Sequence, residues 1–408
     1  VTEVFTERLA AADAQFLLLS HRMPNDQFLL YVFDGTPDIS SALARCRHNA
    51  ERCDDLRLAV CDDQSWWYPR WVPTGVRDDQ FVVHDAVQEW QHCLDSMVGL
   101  DHLDVSLMTW RMHVFPPNVV VVQISHALGD GTRSAALAAG LFGRRTPLPA
   151  VRPDRGSLLL RGIAAARAHR GLVRDIEAGL LEPPSPPRPA LSVNARSADG
   201  TPVLRSFVVG RTRLESPSVT VAALSSIGAA LGGYLAARGE DVSRLCAEVP
   251  MAGAANARVR NNFRNVTVGL YPDLEPGRRA ARIQGDLDAQ RRRAGHPAAV
   301  ASAAAFAAVP APLLRWGMRH FDPHAGSATV SGHTVVSSVN RGPADLTFGG
   351  CPVVLTAGYP ALSPMMGLTH GVHGIGETVA ISVQADPMVV DVDDYLYRLG
   401  NALGVNRG

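Results

Sequence analysis

Short apolar runs with period-two spacing alternate along this chain with longer stretches of helical spacing. In the first half, Phe28–Phe33 predicts a strand and Ile39–Asn49 a short helix. Arg57–Val60 and Phe81–His84 predict strands around the aromatic Trp66-Trp67-Tyr68 segment. Thr109–Phe115 and Val119–Ser125 predict two strands joined by the turn residues Pro116-Pro117-Asn118. The Ala- and Leu-rich stretch Thr132–Phe142 predicts a helix directly after His126–Gly131. Leu158–Leu180 predicts an amphipathic helix with Arg161, Arg167, Arg170 and Arg174 on its polar side. Such a set is ordinarily a solvated face, and it also leaves open a contact with an anionic lipid surface.

The second half repeats the mixture. Strands are expected at Leu204–Val209, Leu245–Val249, Val266–Leu270, Thr334–Val339, Val353–Leu355 and Val379–Gln384. Helices are expected at Val219–Ala237, Arg278–Arg293, Ala298–Arg319 and Asp393–Leu403. Each half thus combines a sheet with covering helices, an α/β (α+β) pattern given twice. Between them lies Glu182-Pro-Pro-Ser-Pro-Pro-Arg-Pro189, which favours extended polyproline backbone and cannot continue a helix. The expected organisation is an N-terminal unit 1–181, a stiff linker 182–190 and a C-terminal unit 191–408. No short repeat of solenoid period is present.

Composition narrows the function classes. Of 408 residues 46% are hydrophobic and 19% charged, enough for sizeable cores and no sign of global disorder. Basic and acidic residues balance at 39 each, so a broad nucleic-acid-binding face is not favoured. All the basic residues are Arg; without a lysine the chain has no Walker-type phosphate loop, kinase site, pyridoxal Schiff base or Ser-Lys hydrolase site. Cys46, Cys53, Cys61, Cys93, Cys246 and Cys351 form no CxxC pair and read as reduced thiols of a cytoplasmic protein. Val1–Ala10 carries Glu3, Glu7 and Arg8 with no apolar core, so no signal peptide is expected there. Ala298–Leu314 is too short, and too broken by Pro310 and Pro312, to span a bilayer.

The concentrated chemistry is His126-Ala-Leu-Gly-Asp130-Gly131, where a strand is expected to end and a helix to begin. A histidine held at such a junction can act as a general base near neutral pH, and an acid four residues on, followed by Gly, can fix the turn. Other groupings carry less. His370, His373 and Glu377 have metal-like spacing but lie in a glycine-rich segment, and no metal is assigned. Trp66-Trp67-Tyr68 beside Pro69 is expected to fill core or interface. Gly374-Ile-Gly376 lacks the third glycine of a dinucleotide site. No GxSxG occurs, and Ser125 stands beside His126 rather than across from it, which argues against a serine hydrolase.

The surrounding segments resemble the condensation-type, CoA-dependent acyltransferase superfamily, and within it the wax ester synthase/diacylglycerol acyltransferase-like proteins. Leu9-Ala-Ala-Ala-Asp13-Ala14-Gln15-Phe16-Leu17 resembles that group's opening LSPxDAxFL, and Trp110-Arg111 its PLWR motif. Val249-Pro250-Met251 with Asn261-Asn262-Phe263-Arg264-Asn265 resembles the PVS…GN block, and Ser337-Ser338-Val339-Asn340-Arg341-Gly342-Pro343 the SNVPGP turn. The one central departure is Ser125, where the family signature HHxxxDG has its first histidine.

The resemblance implies two chloramphenicol-acetyltransferase-like domains in a V with a tunnel between them. It implies His126 as the base for acyl transfer from acyl-CoA or an acyl carrier protein to a small hydroxyl acceptor, with no cofactor and no covalent acyl-enzyme. An amine acceptor, as in free-standing condensation enzymes, uses the same histidine, and a non-catalytic acyl- or carrier-binding homologue is the third reading. Asp130 is expected to be architectural, as in this superfamily, with Arg341 as its candidate partner. Ser125 is expected to be structural because successive strand residues face opposite ways, and the Gly131 amide is a candidate oxyanion donor at a helix start.

Overall fold

The computed structural model describes residues 7–23, 25–86, 89–152, 156–197, 200–214, 217–253, 259–322 and 325–405; of the N-terminal segment, residues 1–6 lie outside this set. Its helices are α1 (Ala11–Ser20), α2 (Ile39–Glu51), α3 (Trp90–Val98), α4 (Gly131–Leu141), α5 (Leu158–Glu177), α6 (Val219–Ala236), α7 (Pro276–Gly295), α8 (Pro297–Ala307), α9 (Ala311–His320) and α10 (Val392–Ala402). The strands of the two principal sheets are β1 (Gln27–Phe33), β2 (Phe81–Val83), β3 (Trp110–Phe115), β4 (Val119–Ile124), β5 (Val203–Gly210), β6 (Cys246–Ala252), β7 (Phe263–Gly269), β8 (Thr334–Asn340), β9 (Thr347–Phe348), β10 (Cys351–Gly358), β11 (Leu368–Ile375) and β12 (Thr378–Ala385). Two small ribbons pair Leu58–Cys61 with Arg70–Pro73, and Arg188–Pro189 with Thr329–Val330.

The first six-stranded sheet has the order β9-β10-β1-β4-β3-β2 and the second the order β7-β6-β8-β11-β12-β5. The fold is therefore mixed α/β, as expected. Strands β9 and β10 come from the second half of the chain yet complete the first sheet, with Leu30 opposite Ala357 and Tyr31 opposite Thr356. The division expected at the proline-rich stretch is thus crossed by one pair of strands.

Burial follows strand alternation. On one face of the first sheet Tyr31, Phe33, Val120, Val122 and Ile124 pack with Ala42 and Cys46 of α2 and Leu137 and Leu141 of α4. On the other, Leu30, Val121 and Ala357 pack with Cys93, Leu94 and Met97 of α3. Leu204 and Ala380 of the second sheet enter that same cluster, so it holds the two sheets together. The second sheet's outer face carries α6 and α10 over Val249, Val268, Val336 and Ile381. Among the described residues α6 alone is a single helix long and apolar enough to cross a membrane, and most of it lies in this core.

Helices α1 and α3 were not assigned from the sequence, and three further features depart from its reading. The helix expected over Ala298–Arg319 is two helices, α8 and α9, bent by 97° at Pro310, because proline cannot donate to the preceding turn. Strand β11 was not expected, since Gly371 and Gly374 weaken strand propensity. It forms because β8 pairs with it in parallel and β12 antiparallel, and all eight of its residues are buried. Lastly, Trp66 (79% exposed) and Trp67 are not core filler: the chain turns outward there, and the Arg8 guanidinium lies 4.9 Å from the Trp67 ring centre.

Candidate active site

His126 follows the last residues of β4, a strand buried along its whole length, and precedes the first turn of α4. The turn is fixed by Asp130, the N-cap of α4. One carboxylate oxygen accepts from the amides of Thr132 (3.1 Å) and Arg133 (3.0 Å), satisfying two of the helix's free N–H groups. The other oxygen accepts from the backbone amide of Asn262 (3.0 Å). The Asp130 side chain is thus committed to three amides. The cap leaves out the amide of Gly131, the first residue of the helix. From β1, Gln27 donates to the Gly129 carbonyl (2.7 Å) and braces the turn from the sheet.

The segment leading into β7 reaches across from the second sheet. Arg260, Asn261 and Asn262 meet three carboxylates of the first half, those of Asp13, Asp55 and Asp130. Asp13 of α1, fully buried, accepts from the amides of Arg260 (3.3 Å) and Asn261 (2.9 Å) and from Nδ2 of Asn261 (3.1 Å). Burial pushes the Asp13 carboxyl above its ordinary range, against the lowering effect of those hydrogen bonds. Asp55 is shared by Arg260 and by Arg133 of α4 (2.6 Å to Arg133). Its burial raises the carboxyl pKa, but the two guanidinium groups outweigh this and hold it below the usual range. Asp130 takes the third amide, that of Asn262.

His126 sits inside this junction, half-buried. Its Nδ1 is 2.9 Å from Oδ1 of Asn261, whose Nδ2 donates back to the His126 carbonyl (2.9 Å). The Phe16 ring stacks on the imidazole at 4.2 Å with a 7° tilt, and Phe263 lies 5.6 Å away. Nε2 has no hydrogen-bond partner among the described residues. Burial lowers the His126 pKa below 6.5, opposed by its own carbonyl, Asn261 and the charge of Asp130. The ring is therefore neutral at physiological pH with one nitrogen held and the other open, the arrangement a general base needs.

The remaining expected site residues fall as follows. Ser125 is buried, and its hydroxyl accepts from the Ala127 amide (3.3 Å), turned back into its own loop. At Gly131 a Cβ would lie 3.5 Å from a methyl of Val339 on β8, so the helix start faces the second sheet. The pairing of Arg341 with Asp130 is corrected: the Arg341 guanidinium donates to Thr356 Oγ1 and the Leu30 carbonyl, with its Cζ 5.3 Å from the Tyr31 ring centre. The reason is that the turn after β8 runs along β1 and β10, while among the described residues Asp130 is satisfied by backbone amides. His370 and His373 face opposite sides of β11. His370 bonds Thr334 (2.8 Å) and Tyr395, whereas His373 lies against Gly358 of β10. Sequence reading missed Asn261 and Asp13 as neighbours of His126; both stood in quoted motifs, but nothing in their spacing said that they meet.

No family model matches the chain, and no curated protein matches it. Solved structures do. The wax ester synthase/diacylglycerol acyltransferase from Marinobacter aquaeolei VT8 is 16% identical with a TM-score of 0.60, covering 98% of each chain. The first condensation domain of the CDA synthetase is 16% identical with a TM-score of 0.61, covering 98% of this chain and 95% of its own. The starter condensation domain of rhizomide synthetase, solved with C8-CoA and Leu-SNAC, is 16% identical with a TM-score of 0.60, covering 98% and 93%. Over nearly its whole length, then, this chain shares its fold with these wax ester synthase and condensation-domain structures.

Proposed function

We propose that the protein transfers an acyl group from a thioester, on CoA or on an acyl carrier protein, to a small hydroxyl acceptor. The observation that carries this reading is the half-buried His126, with Nδ1 engaged and Nε2 open, at the junction of the two sheets. The sheets form the arms of a V, and donor and acceptor enter the tunnel between them from opposite faces. Nε2 of His126 takes the acceptor's proton as its oxygen attacks the thioester carbonyl. The Gly131 amide, left free by the Asp130 cap, donates to the resulting oxyanion. Collapse breaks the C–S bond, and the imidazolium protonates the departing thiolate. The thioester is already activated, so the steps need no metal, cofactor or acyl-enzyme. Asp130 and Ser125 hold the loop and Arg341 braces the neighbouring strands, each without touching substrate.

General base catalysis contributes roughly 10²–10⁴-fold, and positioning with oxyanion stabilisation supplies the rest. Acyl-CoA offered with a panel of alcohols and amines, scored by thiol release and product mass, tests the reading. We expect ester product and a loss of about two to four orders of magnitude in His126→Ala. Near wild-type turnover in that variant would remove His126 from the mechanism, and amide product would place the protein with the amide-forming condensation enzymes. Leu159, Leu160 and Ile163, exposed on α5, support a peripheral membrane contact as part of the same reading.

A further inference from the structure

We infer that Asn261 is a positioning residue that sets the tautomer of His126, and that it does so only while the second sheet's segment is clamped onto the first half of the chain. The inference rests on the reading of His126 as a base but is argued from geometry alone. An amide side chain has one accepting and two donating positions. Nδ2 of Asn261 is 2.9 Å from the His126 carbonyl oxygen, which can only accept, and 3.1 Å from Asp13 Oδ1. The amide therefore has its nitrogen on that side, and Oδ1 faces Nδ1 of His126 at 2.9 Å. An oxygen there requires Nδ1 to carry the proton, which leaves the lone pair on Nε2. With the opposite tautomer two acceptors would face each other, and Nε2 would hold a proton it cannot use to accept another.

Asn261 is itself held, being 4% exposed with its backbone amide also on Asp13. Its neighbours fix the segment at both sides, Arg260 through Asp55 and Asn262 through Asp130. Asp13 and His126 belong to the first half of the chain, and Asn261 to the segment that opens the second sheet's edge strand. The base is thus completed across the junction, and its readiness is tied to that docking. Asp13, 247 to 248 positions away in sequence from the amides it binds, acts on His126 only through Asn261.

The test is nitrogen NMR of the full-length protein labelled in histidine with ¹⁵N, at neutral pH and without substrate. The His126 signals are assigned by their disappearance in His126→Gln. We expect wild-type His126 to be the Nδ1–H tautomer, Asn261→Leu to shift it to Nε2–H or to a mixture, and Asn261→Asp, which keeps the accepting oxygen, to retain Nδ1–H. An Nε2–H tautomer or an imidazolium in the wild type would overturn the inference, and that measurement needs no variant to fold. A folded Asn261→Leu that kept a pure Nδ1–H signal would overturn it too, since the ring's own carbonyl would then suffice. Because the tautomer is read with no substrate present, absence of acyl transfer counts against the proposed reaction and leaves this result standing.

Discussion

Asp130 caps α4 and ties that helix to the segment leading into β7. Its two oxygens hold the amides of Thr132, Arg133 and Asn262, so its removal costs stability before it costs chemistry. An N-cap is worth about 1 kcal/mol, and an Asn262 amide left buried without an acceptor about 1–3 kcal/mol more. Asp130→Ala is therefore expected to lower the denaturant midpoint clearly while also reducing activity; His126→Ala should lower activity with a much smaller change in midpoint. Paired urea titrations of the two variants check this. An Asp130→Ala protein as stable as wild type but inactive would make Asp130 catalytic. A histidine placed at Ser125 would have to displace packed neighbours, which is why the single-histidine signature here reads as a packing difference.

Elements in this fold succeed or fail by what their neighbours supply. Strand β11 contains two interior glycines yet is buried between two partners, and at Gly371 the absent Cβ is what lets β10 approach: a methyl there would run into the Gly358 carbonyl oxygen and the His373 ring. Gly371→Ala is expected to destabilise by about 1–3 kcal/mol, the usual cost of overpacking against backbone that cannot yield. By contrast Gly162 in α5 has open space where its Cβ would go, so Gly162→Ala is expected to stabilise by roughly 0.5–1 kcal/mol through helix propensity. Thermal melts of the two single variants, moving in opposite directions, check both. The break between α8 and α9 shows the opposite case, in which one proline overrides an apolar run that otherwise reads as one helix.

For the whole molecule, the histidines set the response to acid. Burial pushes His113 down to about 4 and His370 to about 3, and it also lowers His84, His126, His333 and His373 below 6.5. His84 Nε2 and His113 Nδ1 lie 3.0 Å apart and need one proton between them, an arrangement that excludes a charge on both rings at once. In the unfolded chain these groups take up protons near 6.5, while in the folded protein they resist until lower pH. The unfolded state then binds more protons throughout that interval, so stability is full above about pH 6.5 and falls as pH drops towards 4. Urea midpoints measured from pH 7.5 to 4.5 should decline steadily over this range; a flat profile would mean that the histidines are not held neutral.

What the sequence determined by itself is local. Hydrophobic period placed β1, the β3–β4 pair, α2, α4, α6 and α10 close to their true bounds, because burial of one face is written into every second or every third to fourth residue. It also put His126 at a strand-to-helix junction, followed by an acid able to fix the turn, from the order of residue types alone. Tertiary structure decided what those residues meet. The α1 helix carrying Asp13, strand β11, the transfer of β10 into the first sheet and the partners of Arg341 all depend on contacts between distant segments. The clamp on His126 was hidden for a further reason: most of its bonds to Asp13 and Asp130 come from backbone amides of Arg260, Asn261 and Asn262. Every residue but proline has such an amide, so no side-chain pattern could announce it, and only the path of the folded chain brings those donors to their carboxylates.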